Sequence, residues 1–403
     1  MDADSGVVRP AARQQGEHRF LDSLAVFLLG AGASWSAGNI GPVVGELHVE
    51  FDSSLTKIGL LSGTLFYTAT VVGLFLAPRA AERLGLTRAL ALGAACGGVG
   101  NLIFAFANSF ELAAAGRMIT GIQLGFVGGL APVLARLTGG VGRVGLFGAS
   151  FQLGIGFGLG VGSILADSGV DWRVSFVITA AVALSAIPLV LREHIPAERR
   201  NAAKGFFAAA IRSTQFWRLA LLFIAMFAVP LTLGAWFVHY VTVDGSIAPG
   251  VAGILAFVLF AVSGLMREAG GQFARRGIPQ AVLTGFAPAL ATIGLVAIGF
   301  DVDVGVVSIA VLLMGAGFAL PYATMMLEAQ HLWPAEAARP TSLLTLLGTA
   351  APIPIIPVLG GLLDAGDGDI AFVVMGLFVL IAGLLNIKPA GKPLSGAGPA
   401  PGP

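Results

Sequence analysis

Twelve apolar runs, each about as long as the hydrocarbon core of a bilayer is thick, follow one another along this 403-residue chain. They fall near 20–44, 57–77, 88–108, 112–136, 143–166 and 173–191. After a polar gap come 217–241, 249–271, 279–300, 304–326, 340–363 and 368–387. Runs this long and continuous predict spanning α-helices, because backbone in lipid must satisfy its own hydrogen bonds. A closed β-barrel would show short alternating segments instead. The expected fold class is an all-α membrane protein with twelve transmembrane helices in two pseudo-symmetric six-helix bundles.

Composition supports the bilayer as solvent. Only 11% of residues are charged, against about a quarter in a soluble domain. A net charge of +1 provides no basic patch for a nucleic-acid partner. The single cysteine, Cys96, excludes an intramolecular disulfide and argues against a structural metal site. The first run is too long for a signal-peptide core and reads as a retained helix.

Basic residues orient the spans. With the N-terminus inside, all but three of the 23 Lys and Arg residues fall in cytoplasmic segments; the three are Lys57, Arg173 and Arg117. The acids Glu46, Glu50, Glu111, Asp167, Asp244 and Asp364 fall outside. Both termini are therefore expected in the cytoplasm. The domain plan is a cytoplasmic tail over 1–19, a first bundle over 20–191, a cytoplasmic linker over 192–216, a second bundle over 217–387 and a Pro/Gly-rich, disordered tail over 388–403.

The halves repeat each other. "AERLGLTRAL" (81–90) and "FARRGIPQAV" (273–282) align on Gly85 and Gly277, and "GSILAD" (162–167) answers "GGLLDAG" (360–366), with Asp at the end of each. Duplicated halves suit a transporter that rocks about a central site. Three further motifs point to a family. "PRAAERLGLTR" (78–88), "RMITG" (117–121) and "DWRVSF" (171–176) resemble, in order, the loop 2–3 signature, the fourth-helix Arg-x-x-x-Gly and the Trp-Arg opening of the sixth helix of the major facilitator superfamily. Pro78 and Glu82 depart from the usual Gly and Asp of the first of these. The resemblance covers nearly the whole chain and implies alternating access to a site between bundles.

Each candidate residue has a functional and a bland reading. The family resemblance makes Glu82, Arg83, Gly85 and Arg88 a cytoplasmic gate; as simple topogenic charge they would only orient the helix. Arg117 either faces the cavity, as its family counterpart does, or snorkels to the nearby edge. The first helix offers no acid at its level, only Gly38 and Asn39, which weakens proton-coupled drug export. "REAGG" (267–271) resembles the anion-contacting arginine of nitrate and nitrite porters, although their second arginine on helix two has no equivalent here and Glu268 could neutralise Arg267. Gly154, Gly158 and Gly162 recur at four residues and are expected to let helices approach closely. The proline of the family's antiporter signature is missing there, so exchange is not inferred. Trp236, His239 and Tyr240 read as an aromatic belt at the outer interface.

No Walker A, His-Glu-x-x-His or Gly-x-Ser-x-Gly stretch occurs, so neither an enzyme nor a cofactor is expected. The sequence thus points to a secondary transporter of a small solute, with Asn39, Tyr67, Arg117, Gln123, Gln152 and Arg267 as substrate contacts. A small anion is the leading substrate class. Efflux of drug-like compounds with a co-transported proton, for which Asp22 is the one first-helix acid, and a non-transporting sensor or scaffold stand as alternatives. The expected setting is multi-pass in a cell membrane, a bacterial cytoplasmic membrane in particular, with the lipid bilayer and a small-molecule substrate as partners and a monomer as the working unit.

Overall fold

A computed structural model describes residues 9–192, 210–279, 281–333 and 338–387. The tail expected over 388–403 and most of the linker over 192–216 lie outside these residues.

The first six spans are α1 (Arg9–Gly38), α2 (Leu55–Leu84), α3 (Leu86–Ala105), α4 (Phe110–Gly140), α5 (Gly142–Asp167) and α6 (Arg173–Val190). The second six are α7 (Thr214–Val243), α8 (Pro249–Arg275), α9 (Val282–Phe300), α10 (Val304–Leu332), α11 (Arg339–Ala365) and α12 (Gly368–Leu384). Among the described residues, eleven helices are long and apolar enough to cross a membrane, and α12 is a shorter apolar helix. Helix α1 already begins at Arg9, ahead of the apolar run. Prolines sit inside α2, α4, α6, α7 and α11. Neighbouring helices can satisfy the carbonyls that these prolines release.

Packing repeats between the halves. Helix α3 lies against α4 and α6, as α9 lies against α10 and α12; α2 packs on α4 as α8 packs on α10. The turns after α2 and α8 also match. Gly85 and Gly277 both hold positive φ, +87° and +77°, a conformation open to glycine at little cost. Between α4 and α5 the chain turns at Gly139 and Gly140, the latter at φ +62°. Two helix pairs form much of the seam between bundles, α2 against α11 and α5 against α8, and the chain just past α1 meets α7 where Gly41 abuts the Gly234 carbonyl.

Helix α5 presents two glycine faces. A Cβ on Gly158 would lie 2.7 Å from the Trp35 carbonyl of α1 and one on Gly162 2.9 Å from Pro42, while Gly154 abuts Ser34 and Ala31. The other face, Gly156 and Gly160, meets Phe257 of α8 at 3.1 and 3.3 Å. One face therefore builds the first bundle and the other meets the second. The aromatic end of α7 is not at the lipid interface. Trp236 is fully buried and donates through Nε1 to the Ile356 carbonyl of α11 at 2.9 Å, and Tyr240 stacks on Phe372 at 4.4 Å. Helix α7 is the core helix of its bundle, so its aromatics pack inward.

Candidate functional site

The spans end alternately at two poles. One pole carries the turns at Arg83 and Arg275 and is basic; the other carries Asp167 and Asp364 and is acidic. Arg117 lies seven residues into α4, about 10 Å from the acidic end, and Arg267 eight residues from the basic end of α8, about 12 Å deep. Their surroundings differ in kind.

Arg117 is enclosed in the first bundle, 1% exposed. Its Nη1 donates to the Ser36 carbonyl of α1 at 2.8 Å and its Nε to the Leu61 carbonyl of α2 at 3.3 Å. Leu61 belongs to a π-helical segment, Leu60–Leu65, where the backbone ladder is loosened. The guanidinium lies 4.2 Å from the Phe66 ring centre and 5.9 Å from that of Phe104. Asn101 of α3 extends the network by donating to Ser36 Oγ at 2.9 Å. Arg117 thus ties three helices together around backbone oxygens, without a carboxylate, and its Nη2 is enclosed without an acceptor among the described residues. Gln123, also on α4, packs its amide onto Gly97 of α3. Asn39 donates to Thr179 Oγ1 at 2.7 Å and accepts from Ser175 Oγ at 3.3 Å, joining α1 to α6. Tyr67 is buried edge-on to Phe66 at 5.0 Å. The structure therefore holds Asn39, Arg117 and Gln123 inside the first bundle.

Gln152 and Arg267 are at the seam between bundles. Gln152 Nε2 of α5 donates to Ser263 Oγ of α8 at 2.7 Å, and both residues are buried. Arg267 is one turn beyond Ser263 on the same face. Its guanidinium lies 4.5 Å over the Tyr322 ring, just past the break in α10 at Leu320 and Pro321. Gly270 permits this, since a Cβ there would strike the Leu320 carbonyl. Arg267 is half-buried, and its Nε is enclosed without an acceptor among the described residues. Glu268 does not neutralise it: that carboxylate faces Arg275 at 3.5 Å and is exposed. Ser263 and Tyr322 were not among the expected contacts. The spacing of Ser263, four residues before Arg267, was a readable signal; the approach of Tyr322 depends on the α10 break.

The loop 2–3 residues Glu82, Arg83 and Arg88 are exposed and make no ion pair among the described residues. Asp22 pairs with Arg143 at 3.0 Å, joining α1 to the start of α5. Among the described residues, no group of three or more His, Cys, Asp or Glu could hold a metal ion. Gln152–Ser263 joins the bundles at this level, and further hydrogen bonds join them toward the acidic pole. Thr64 Oγ1 donates to the Ile353 carbonyl at 2.8 Å, an oxygen left without its helical donor because Pro357 has no N–H. At the acidic pole, Asp364 of α11 accepts from the first amides of α2.

A family model for the Major Facilitator Superfamily matches residues 26–353. The fold is similar to that of a bacterial homologue of the human lysosomal transporter Spinster in an inward-facing, unoccupied conformation (TM-score 0.72, 15% identity, 94% of this chain and 97% of that one). It is also similar to a D-xylose–proton symporter (TM-score 0.74, 15% identity, 93% and 98%) and a nucleoside transporter (TM-score 0.70, 12% identity, 91% and 98%). No curated protein sequence matches the chain.

Proposed function

The chain belongs to the major facilitator superfamily and is a secondary transporter rather than an enzyme, and from that premise we propose that its solute is a small anion held between the bundles at Arg267. The carrying observation is a guanidinium at the seam that has no carboxylate partner among the described residues, with one N–H direction enclosed and unanswered. A charge at such depth is costly unless a partner arrives. An anion would supply it, with the Tyr322 ring below the guanidinium and the Gln152–Ser263 pair one turn away.

On this reading Arg267, Gln152 and Tyr67 remain candidate solute contacts, while Asn39, Arg117 and Gln123 brace the bundle that presents them. We place the basic pole in the cytoplasm on the charge asymmetry of the loops, in a cytoplasmic membrane. The contacts of Asp364 with α2 then join the bundles on the outside. One chain carries both bundles, so a monomer suffices.

The test is a thermal-shift series on purified protein with small anions, neutral sugars and lipophilic cations. A ligand at 100 times its dissociation constant stabilises by about 2.7 kcal/mol. Stabilisation by anions that disappears in Arg267→Ala supports the proposal. Stabilisation by sugars or lipophilic cations that survives in Arg267→Ala refutes the anion assignment.

A further inference from the structure

Asp364 ends α11 in the second bundle, yet its carboxylate serves the first. Oδ1 accepts from the Leu55 amide at 3.0 Å; Oδ2 accepts from the Thr56 amide at 3.1 Å and from Thr56 Oγ1 at 3.2 Å. Leu55 and Thr56 open the 30-residue helix α2, whose first amides have no partner within the helix. The helix dipole adds attraction for the negative charge. Two glycines bring α11 close enough. A Cβ on Gly360 would lie 2.7 Å from the Leu55 carbonyl, and one on Gly361 3.3 Å from Thr56 Oγ1.

The repeat places a second carboxylate in the equivalent position. Asp167 ends α5, as Asp364 ends α11, and it reaches the start of α8, as Asp364 reaches the start of α2. A Cβ on Gly250 would stand 2.8 Å from Asp167 Oδ2. No side chain caps the N-terminus of α8. The neighbouring turn is equally close, with Gly253 against Ser163. The two junctions differ in one respect: Asp364 makes three hydrogen bonds across the seam, whereas Asp167 abuts Gly250 without one.

We propose that Asp364 and Asp167 are repeat-related latches that hold the two bundles together at the acidic pole, with Asp364 the stronger, and that Asp364 must release the N-terminus of α2 before that pole opens. This inference rests on the transport reading above. It adds the contact that the conformational cycle must break. The latch suits reversible motion because its acceptor is a carboxylate at an exposed edge. Water can replace the lost amide bonds there, which it could not do deeper in the seam.

The test uses the full chain with Cys96→Ser and spin labels at Glu111→Cys and Asp301→Cys, one on each bundle at the acidic pole. Distance distributions would be measured by double electron–electron resonance. Asp364→Asn should raise the separated population about tenfold, the low end for charge-assisted bonds because the site is exposed. Asp167→Asn should raise it less, and Asp364→Glu should keep the closed distance. A wedge, Gly360→Trp, serves as a positive control that forces the seam apart. If the wedge opens the pole and folded Asp364→Asn keeps the wild-type distribution, the latch is wrong and the transport reading stands. If no variant, the wedge included, yields a second distance, the rocking premise fails, and the latch fails with it.

Discussion

The two membrane-embedded arginines differ more than their identical chemistry suggests. Arg117 is sealed among helices of its own bundle, with two backbone carbonyls and an aromatic face as partners. Arg267 lies at the seam over Tyr322, with an enclosed N–H that nothing in the described residues accepts. A cation solvated by its bundle is a structural element. A half-buried cation at the seam between bundles can be reached by a partner from outside. What separates the two is place and burial: Arg117 is fully buried inside one bundle with two carbonyl acceptors, whereas Arg267 is half-buried at the seam between bundles. The π-helical segment of α2 supplies one of those carbonyls to Arg117.

The largest expected effect breaks that contrast on its structural side. Arg117→Ala leaves a cavity and strands the Leu61 and Ser36 carbonyls, so it should cost about 2–3 kcal/mol of stability. Denaturation of the detergent-solubilised protein would show it, and a wild-type melting temperature would contradict the sealed role. Arg267→Ala should do the reverse. Anion affinity should fall at least tenfold, which is about 1.4 kcal/mol, with little change in the ligand-free melting temperature. Equal destabilisation by both substitutions would erase the comparison.

Smaller effects sharpen it. Thr64→Val removes the hydroxyl donor to the Ile353 carbonyl at the seam. It should weaken the closed pole by about 0.6–1 kcal/mol, seen as a larger separated population between spin labels at positions 111 and 301 in the Cys96→Ser background. An unchanged distance distribution would mean that the proline-released oxygen does not hold the seam. The smallest effect lies outside the spans. Partial burial, then the charge of Asp369, pushes the Asp244 carboxyl above its ordinary range. A carboxyl whose pKa is higher in the folded state contributes stability at pH below its unfolded value, and loses it as pH rises through the folded value. Asp244→Asn should therefore raise the melting temperature slightly at neutral pH and lose that advantage in acid. A larger gain in acid than at neutrality would reverse the sign.

Much of the architecture was legible in residues alone, because lipid leaves the backbone few choices. The runs marked the spans, and Gly85 with Gly277 marked the repeat through a positive-φ turn that both adopt. The site was less legible. Gln152 and Arg267 were singled out by polarity within apolar helices and do reach the seam. Asn39, Arg117 and Gln123 carried the same signal and turn inward to their own bundle. Polarity marks a residue as expensive in lipid, but it does not say which neighbour satisfies it. Trp236 and Tyr240 show the same gap: their amphipathic rings suggested the lipid interface, and packing around α7 buried them.

By itself the sequence determined that this chain spans a membrane as two repeated halves, because hydropathy and repeat spacing are local properties of the chain. It also determined that guanidinium groups would stand within those spans. Only the tertiary structure decided which arginine is enclosed and which is left waiting, and that Asp364 caps a helix of the opposite bundle. Those outcomes depend on oxygens and amides made available by distant segments: the π-helical segment of α2, the proline-broken ladder of α11 and the first amides of α2. The direction and availability of a backbone hydrogen bond are set by how helices meet, not by the residues that receive it.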